Sequence, residues 1–145
     1  MVLNYAMFYR CGKLTSIDLS NFSFEKTKDL LSLFVGCRNL EKIVWPSDQK
    51  YSSVESIYAM FSGCTKLTSI DLSKFTFRKI KLMYSFFRDC NNLEKIAWPN
   101  DEKYSLVENI RNMFYNCGKL TSIDLSNFNF EKTKDMRYLF GIAII

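Results

Sequence analysis

Three observations predict a single α/β solenoid of about five coils, with a parallel sheet on its concave side and short helices on its convex side. The first is literal repetition. "CGKLTSIDLS" at 11–20 returns as "CTKLTSIDLS" at 64–73, and unchanged at 117–126. The second is a finer period, in which Leu14, Leu40, Leu67, Leu93 and Leu120 recur every 26 or 27 residues. The third is a change of hydrophobic period inside each unit, from alternation to helical spacing.

The repetition sets the domain. Residues 11–63 and 64–116 are identical at 32 of 53 positions, and 117–135 matches 11–29 at 18 of 19. Periods of about 20–50 residues belong to solenoids, in which one coil cannot bury its own apolar edge and stacking makes the core continuous. Residues 1–145 therefore read as one domain: double repeats 11–63 and 64–116, a partial third at 117–145, and a partial preceding helix at 1–10.

Each unit opens on L-x-x-I-x-[LW]. Ile17, Ile43, Ile70, Ile96 and Ile123 keep step with the leucines, and Leu19, Trp45, Leu72, Trp98 and Leu125 complete the motif. The Ile–Leu alternation predicts a short strand. A turn follows, carrying Phe22 and Phe24 in one type of unit and Pro46 to Lys50 in the other. The second half runs at i, i+3, i+4 and i+7: Leu30, Leu33, Phe34, Cys37; Ile57, Met60, Phe61, Cys64; Met83, Phe86, Phe87, Cys90; Ile110, Met113, Phe114, Cys117. This spacing predicts short helices. Ser52–Glu55 and Ser105–Glu108 read as capping boxes before two of them. Strand, turn and short helix every 26 or 27 residues make a leucine-rich repeat solenoid.

"MFSGCTKLTSIDLSKFTF" at 60–77 resembles the BspA-like leucine-rich repeats of bacterial surface proteins, which read roughly M-F-x-x-C-x-x-L-x-x-L-D-L-S-x-F-x-T. Met60, Phe61, Cys64, Leu67, Ile70, Asp71, Leu72, Ser73 and Phe75 carry the match. It spans nearly the whole chain and weakens in "NLEKIVWP" and "NLEKIAWP", where Trp-Pro replaces Leu-Ser. The resemblance implies a surface-protein adhesion or protein-binding module at the cell surface, often in host-associated microbes. It implies no catalytic residues and no cofactor.

Composition narrows the chemistry. The chain is 48% hydrophobic and 24% charged, as globular domains are. It contains no His, which removes most general-base, nucleophile-relay and zinc schemes. The net charge of +5 is spread out. "EKTK" (25–28), "RKIK" (78–81) and "EKTK" (131–134) read as solvated loops, because two of the three carry Glu and no base-stacking aromatics are interleaved; nucleic acid is not expected as a partner. No apolar run nears the roughly 20 residues that span a bilayer, so no direct membrane insertion is expected. "MVLNYAMFYR" lacks the pattern of a signal peptide. Asn21-Phe22-Ser23 is a nominal glycosylation triplet that composition alone explains.

Three columns run along the axis. Cys11, Cys37, Cys64, Cys90 and Cys117 rise one per coil, so they do not converge on one metal. A vertical disulfide is geometrically open, but each Cys completes an apolar stripe and is expected as a buried free thiol. Trp45 and Trp98 stand where Leu stands elsewhere and are expected in the core. The outward strand positions are polar. Ser16 and Asp18, Ser69 and Asp71, and Ser122 and Asp124 alternate with Lys42 and Lys95 of the intervening coils, Asp and Lys diagonal to one another. These eight residues are the candidate binding face, with no catalytic, cofactor or metal residues assigned. The competing reading is a checkerboard that neutralises itself and keeps the sheet soluble.

The expected function is a non-catalytic protein-binding or adhesion module that reads a host or neighbouring-cell protein. The alternative is a structural repeat segment or cytoplasmic interaction scaffold without a ligand of its own. Neither end shows a polar cap, Ala143 standing where Cys37 and Cys90 would. A fragment, a truncated gene product or a segment of a larger array is the corresponding expectation, with self-association through open coil faces.

Overall fold

The computed structural model describes residues 6–47, 53–100 and 104–141. The chain winds as a stack of coils starting at Leu14, Leu40, Leu67, Leu93 and Leu120, with residues 6–11 packed before the first. Four strands form on the front: β1 (Ser16–Asp18), β2 (Lys42–Val44), β3 (Ser69–Asp71) and β4 (Lys95–Ala97). Each contains the central Ile of L-x-x-I, turned inward, with polar or small neighbours turned out.

The strands pair only in doublets. β1 pairs in parallel with β2, Ser16 opposite Lys42 and Asp18 opposite Val44. β3 pairs likewise with β4, Ser69 opposite Lys95 and Asp71 opposite Ala97. Among the described residues no bridge joins β2 to β3, and 122–124 forms no strand. The expectation of one sheet of five strands is thus corrected to two two-stranded sheets. Side chains add stitches at both kinds of boundary: Thr65 Oγ1 donates to Arg38 O at 3.1 Å between β2 and β3, and Asn91 Nδ2 to Asn116 O at 3.1 Å beyond β4. Asn39 Nδ2 donates to Gly12 O at 2.6 Å, and Asn92 Nδ2 to Thr65 O at 2.6 Å, clamping each second coil onto the coil before it. The aligned residue of the other coils is Lys13, Lys66 or Lys119, which has no amide to offer.

The predicted helices are absent. The only helical element among the described residues is a single 3₁₀ turn, Phe130–Lys132, opened by Asn129 Oδ1 accepting from Glu131 N–H at 2.9 Å. The predicted helical segments are runs of tight turns instead. Val35 N–H donates to Ser32 O, and Cys37 N–H to Phe34 O, three residues back. Ser32, Ala59, Ser85, Asn112 and Tyr138 hold φ between 53 and 57°, and Arg10, Gly36, Gly63, Asp89 and Asn116 form a second left-handed column. No right-handed helix passes through such residues. Ser105–Glu108 caps no helix, and Ser52 lies outside the described residues.

The physical reason is the stacking distance. Helices pack 8–10 Å apart and use up their own backbone groups. Here alternate N–H groups point along the axis instead: Leu30 to Ser56 O, Ser32 to Tyr58 O, Phe34 to Met60 O and Gly36 to Ser62 O, at 2.8–3.0 Å. The coils therefore close to sheet-like spacing, and Phe8, Phe34, Phe61, Phe87, Phe114 and Phe140 stack face to face at 5.4–6.1 Å between centroids. A row of parallel bridges, Asp29–Ser56–Leu82–Asn109–Asp135, runs unbroken through all five coils. The continuous ladder is at the start of the turn segments, not at the strand motif.

The core lies between this ladder and the strands. Leu30, Leu33, Phe61, Met83, Phe87 and Leu93 are fully buried. Trp45 and Trp98 are half-buried against it, edge-on to Phe75 at 4.9 Å and Phe128 at 5.4 Å, as expected of core residues. No helix of the described residues is long and apolar enough to cross a membrane.

Candidate functional site

The cysteine column is bonded to the backbone. Cys37 Sγ donates to Phe8 O at 3.0 Å, Cys64 to Phe34 O at 3.2 Å, Cys90 to Phe61 O at 3.1 Å and Cys117 to Phe87 O at 3.0 Å. Each thiol thus satisfies a carbonyl of the preceding turn segment. Burial pushes Cys37 up to about 11 and Cys117 to about 12, and raises Cys64 and Cys90 as well. These are neutral structural thiols, far from nucleophiles. All five are free; Cys37, Cys64 and Cys90 are buried, whereas Cys117 is half-buried and Cys11 exposed, against the expectation of burial.

On the front, all eight candidate residues are exposed. The structure separates their roles. Asp18 Oδ1 accepts from Ser20 N–H, Asp71 Oδ1 from Ser73 N–H and Asp124 Oδ1 from Ser126 N–H, each at 2.8 Å. This is an Asx turn, in which the side chain closes the bend that takes the chain out of the strand. Hydrogen bonds from the serine hydroxyl and N–H hold all three carboxyls below their ordinary value. A depressed carboxyl is a poor general acid at neutral pH.

Lys42 and Lys95 form no ion pair among the described residues. The Lys residues that do pair lie elsewhere. Lys81 Nζ is 2.9 Å from Glu55 Oε2, and Lys134 Nζ 2.7 Å from Glu108 Oε2, beside the bridge ladder. The diagonal Asp–Lys neutralisation expected of the strand face is therefore not formed as contacts. What the front presents is two unpaired ammonium groups, three carboxyls bound to their own turns, and serine hydroxyls between them.

The sequence missed one feature. A recess of about 720 Å³ opens between β4 and 120–124, lined by Glu94, Lys95, Ile96, Ala97, Leu120, Ser122, Ile123 and Asp124. It brings Lys95, Ser122 and Asp124 together where β4 and 122–124 form no bridge. No group of three or more metal-ligating side chains occurs among the described residues.

The model of the BspA-type leucine-rich repeat region, in 6 copies, matches residues 2–60 and 31–136. The chain belongs to the BspA-type leucine-rich repeat family. Among solved structures it is similar to a leucine-rich repeat protein from Bacteroides ovatus, at 23% identity and a TM-score of 0.47, covering 82% of this chain and 33% of that one. It is also similar to the T. pallidum leucine-rich repeat protein TpLRR, at 21% identity and a TM-score of 0.48, covering 82% of this chain and 60% of that one. The BspA-type chain thus spans a third and three fifths of the lengths of these two structures. No curated protein matches it.

Proposed function

We propose that this BspA-type chain is a non-catalytic protein-binding module whose strand face, centred on Lys42 and Lys95, docks a protein partner. A role in cell-surface adhesion, toward a host or neighbouring-cell protein, is the form that the family suggests. One observation carries the reading. The carboxyls of Asp18, Asp71 and Asp124 are committed to the N–H groups of Ser20, Ser73 and Ser126, so the lysines between them keep their charge for a partner. Exposed cations that no neighbour neutralises steer association and fix its register.

Lack of catalysis belongs to the same reading and is supported by the absence of His and by the lowered carboxyls. So does self-association through an exposed coil face, where Met136, Tyr138 and Phe140 are 42, 62 and 54% exposed. The test is a binding screen against immobilised host extracellular-matrix and bacterial surface proteins, with the doubly substituted chain Lys42→Glu/Lys95→Glu alongside. At least one protein should bind the native chain and lose tenfold or more with the variant. Equal binding to every captured protein would remove the strand face as the site.

A further inference from the structure

Arg10, Gly36, Gly63, Asp89 and Asn116 stand in one left-handed column, on the edge by which the chain enters the strand motifs. Two residues further on, Gly12, Arg38, Thr65, Asn91 and Gly118 form the column beside it. Two neighbouring levels of both columns make a quartet. Toward the C-terminus the quartet is Asp89, Asn91, Asn116 and Gly118, and it satisfies itself. Asp89 Oδ1 accepts from Asn116 Nδ2 at 3.0 Å and Asp89 Oδ2 from Arg88 Nε at 3.3 Å, while Asn91 Nδ2 donates to Asn116 O at 3.1 Å. Toward the N-terminus the aligned quartet is Arg10, Gly12, Gly36 and Arg38. It holds arginine at two opposite corners, glycine at the other two, and no carboxylate.

The glycines leave space. A recess of about 570 Å³ opens over Gly12 and Gly36, walled by Arg10, Arg38 and Asn39. Gly36 has φ 72°, and a Cβ there would stand 3.2 Å from Arg10 Cγ, so the arginine stem lies across bare backbone. Arg10 Cζ is 5.2 Å from the Tyr9 ring centroid, and the ring backs one face of the guanidinium. Asn39 Nδ2 is spent on Gly12 O, which closes the floor, so a ligand rests on the two coils and does not enter between them. Thr65 Oγ1 donates to Arg38 O at 3.1 Å and fixes the backbone that carries the second arginine. Neither Arg10 nor Arg38 forms an ion pair among the described residues.

We infer that this recess binds a doubly charged oxyanion, of the kind a phosphate monoester carries, between Arg10 and Arg38. The ligand supplies the acceptor that Asp89 supplies in the later quartet. Guanidinium groups hold oxyanions through paired N–H donors in a fixed fork, and two of them without a carboxylate match a dianion in charge. Both arginines are exposed, so water and salt screen the site and its affinity is millimolar. The recess precedes β1 and β2, apart from Lys42 and Lys95, and its anion binding does not depend on the strand face docking a protein.

The probes are inorganic phosphate, glycerol 1-phosphate and acetate, added to the full chain at pH 8 and at ionic strength held constant with chloride. NMR follows the Arg10 and Arg38 Nε–H signals and the Gly12 and Gly36 amides. Both phosphates should give saturable shifts at these four residues, and acetate should bind at least fivefold more weakly. Equal affinity for the two phosphates assigns recognition to the phosphate group alone, and tighter binding of glycerol 1-phosphate assigns it to a phosphate carried on an organic ligand. Arg10→Gln/Arg38→Gln should weaken phosphate at least tenfold. Gly36→Asp places in the recess the carboxylate that Asp89 provides later in the chain, at a column position where Asp89 itself holds φ 61°, and should weaken phosphate as much. No saturable shift at tens of millimolar phosphate, acetate binding as tightly as phosphate, or undiminished binding by the double arginine variant would overturn the site. Undiminished binding by a folded Gly36→Asp chain would do the same.

Discussion

The backbone N–H of Ser73 lies 2.8 Å from Asp71 Oδ1, and the same bond recurs in every "IDLS" copy. It makes the aspartate part of the coil's architecture. Replacing Asp71 by Ala should lower stability by on the order of 0.5–1 kcal/mol, since the bond is solvent-exposed. Asn at the same position keeps an acceptor and should recover most of the loss. Chemical denaturation of the three proteins checks this.

The same bonds give a pH dependence. Asp18, Asp71 and Asp124 have folded values below the ordinary 3.8. Between those values the unfolded chain binds more protons, so stability rises with pH. The contribution is therefore full above the ordinary value and lost as pH falls through the lowered ones. Melting temperatures measured downward from pH 5 should drop less steeply in the triple Asp→Asn chain than in the native one.

The thiols act in the opposite direction. Cys37 is raised from 9.0 to about 11 and Cys117 to about 12. Above pH 9 the folded chain keeps protons that the unfolded chain gives up, so stability falls as pH rises through these values. At neutral pH an aromatic disulfide reagent should modify Cys11 rapidly and Cys64 and Cys90 only on unfolding. Five equivalents should be consumed in denaturant. Two or fewer would contradict the free-thiol structure.

How much of this was legible beforehand depends on the level. The repeat phase, the inward Leu and Ile columns and the core Trp followed from spacing, because burial on one side leaves a periodic mark. The turn segments misled. Leu30, Leu33, Phe34 and Cys37 share a face both in a helix and in successive tight turns, and periodicity alone does not separate the two. Left-handed Ser32, Ala59 and Asn112 have no sequence signature as strong as a glycine. Alternation placed the eight candidate residues at exposed positions, as they are found, but it carried no information on their bonding. Strand periodicity shows that Asp71 and Lys95 lie on one surface, not that Asp71 turns to Ser73.

Doublet pairing makes a further local prediction. Asn92→Ala removes the clamp of Asn92 on Thr65 O and should cost about 1 kcal/mol. Hydrogen exchange should accelerate at the Glu94 and Lys95 amides, which bond to Thr68 O, while the Asn109 bridge residue stays protected. Uniform acceleration would mean that strands and bridge ladder open as one unit.

The stacked phenylalanines tie the coils together. Phe61 is fully buried and stacks on Phe34 at 5.7 Å and on Phe87 at 5.6 Å. Phe61→Ala should cost about 3–5 kcal/mol, visible as a large drop in the denaturation midpoint. At the exposed coil face, Tyr138→Ser with Phe140→Ser should reduce self-association in sedimentation equilibrium. A native chain that stays monomeric at high concentration would contradict that part of the proposal.

The division of labour on the strand face is open to one direct measurement: the side-chain titration of Asp124 by NMR, in the native chain and in Lys95→Gln. With Asp124 bound to Ser126 and Lys95 left for a partner, the carboxyl titrates below 3.8 in both proteins and shifts little between them. A clear rise on removal of Lys95 would show that the two charges neutralise each other, and that the face is a solvated checkerboard with no cation to spare.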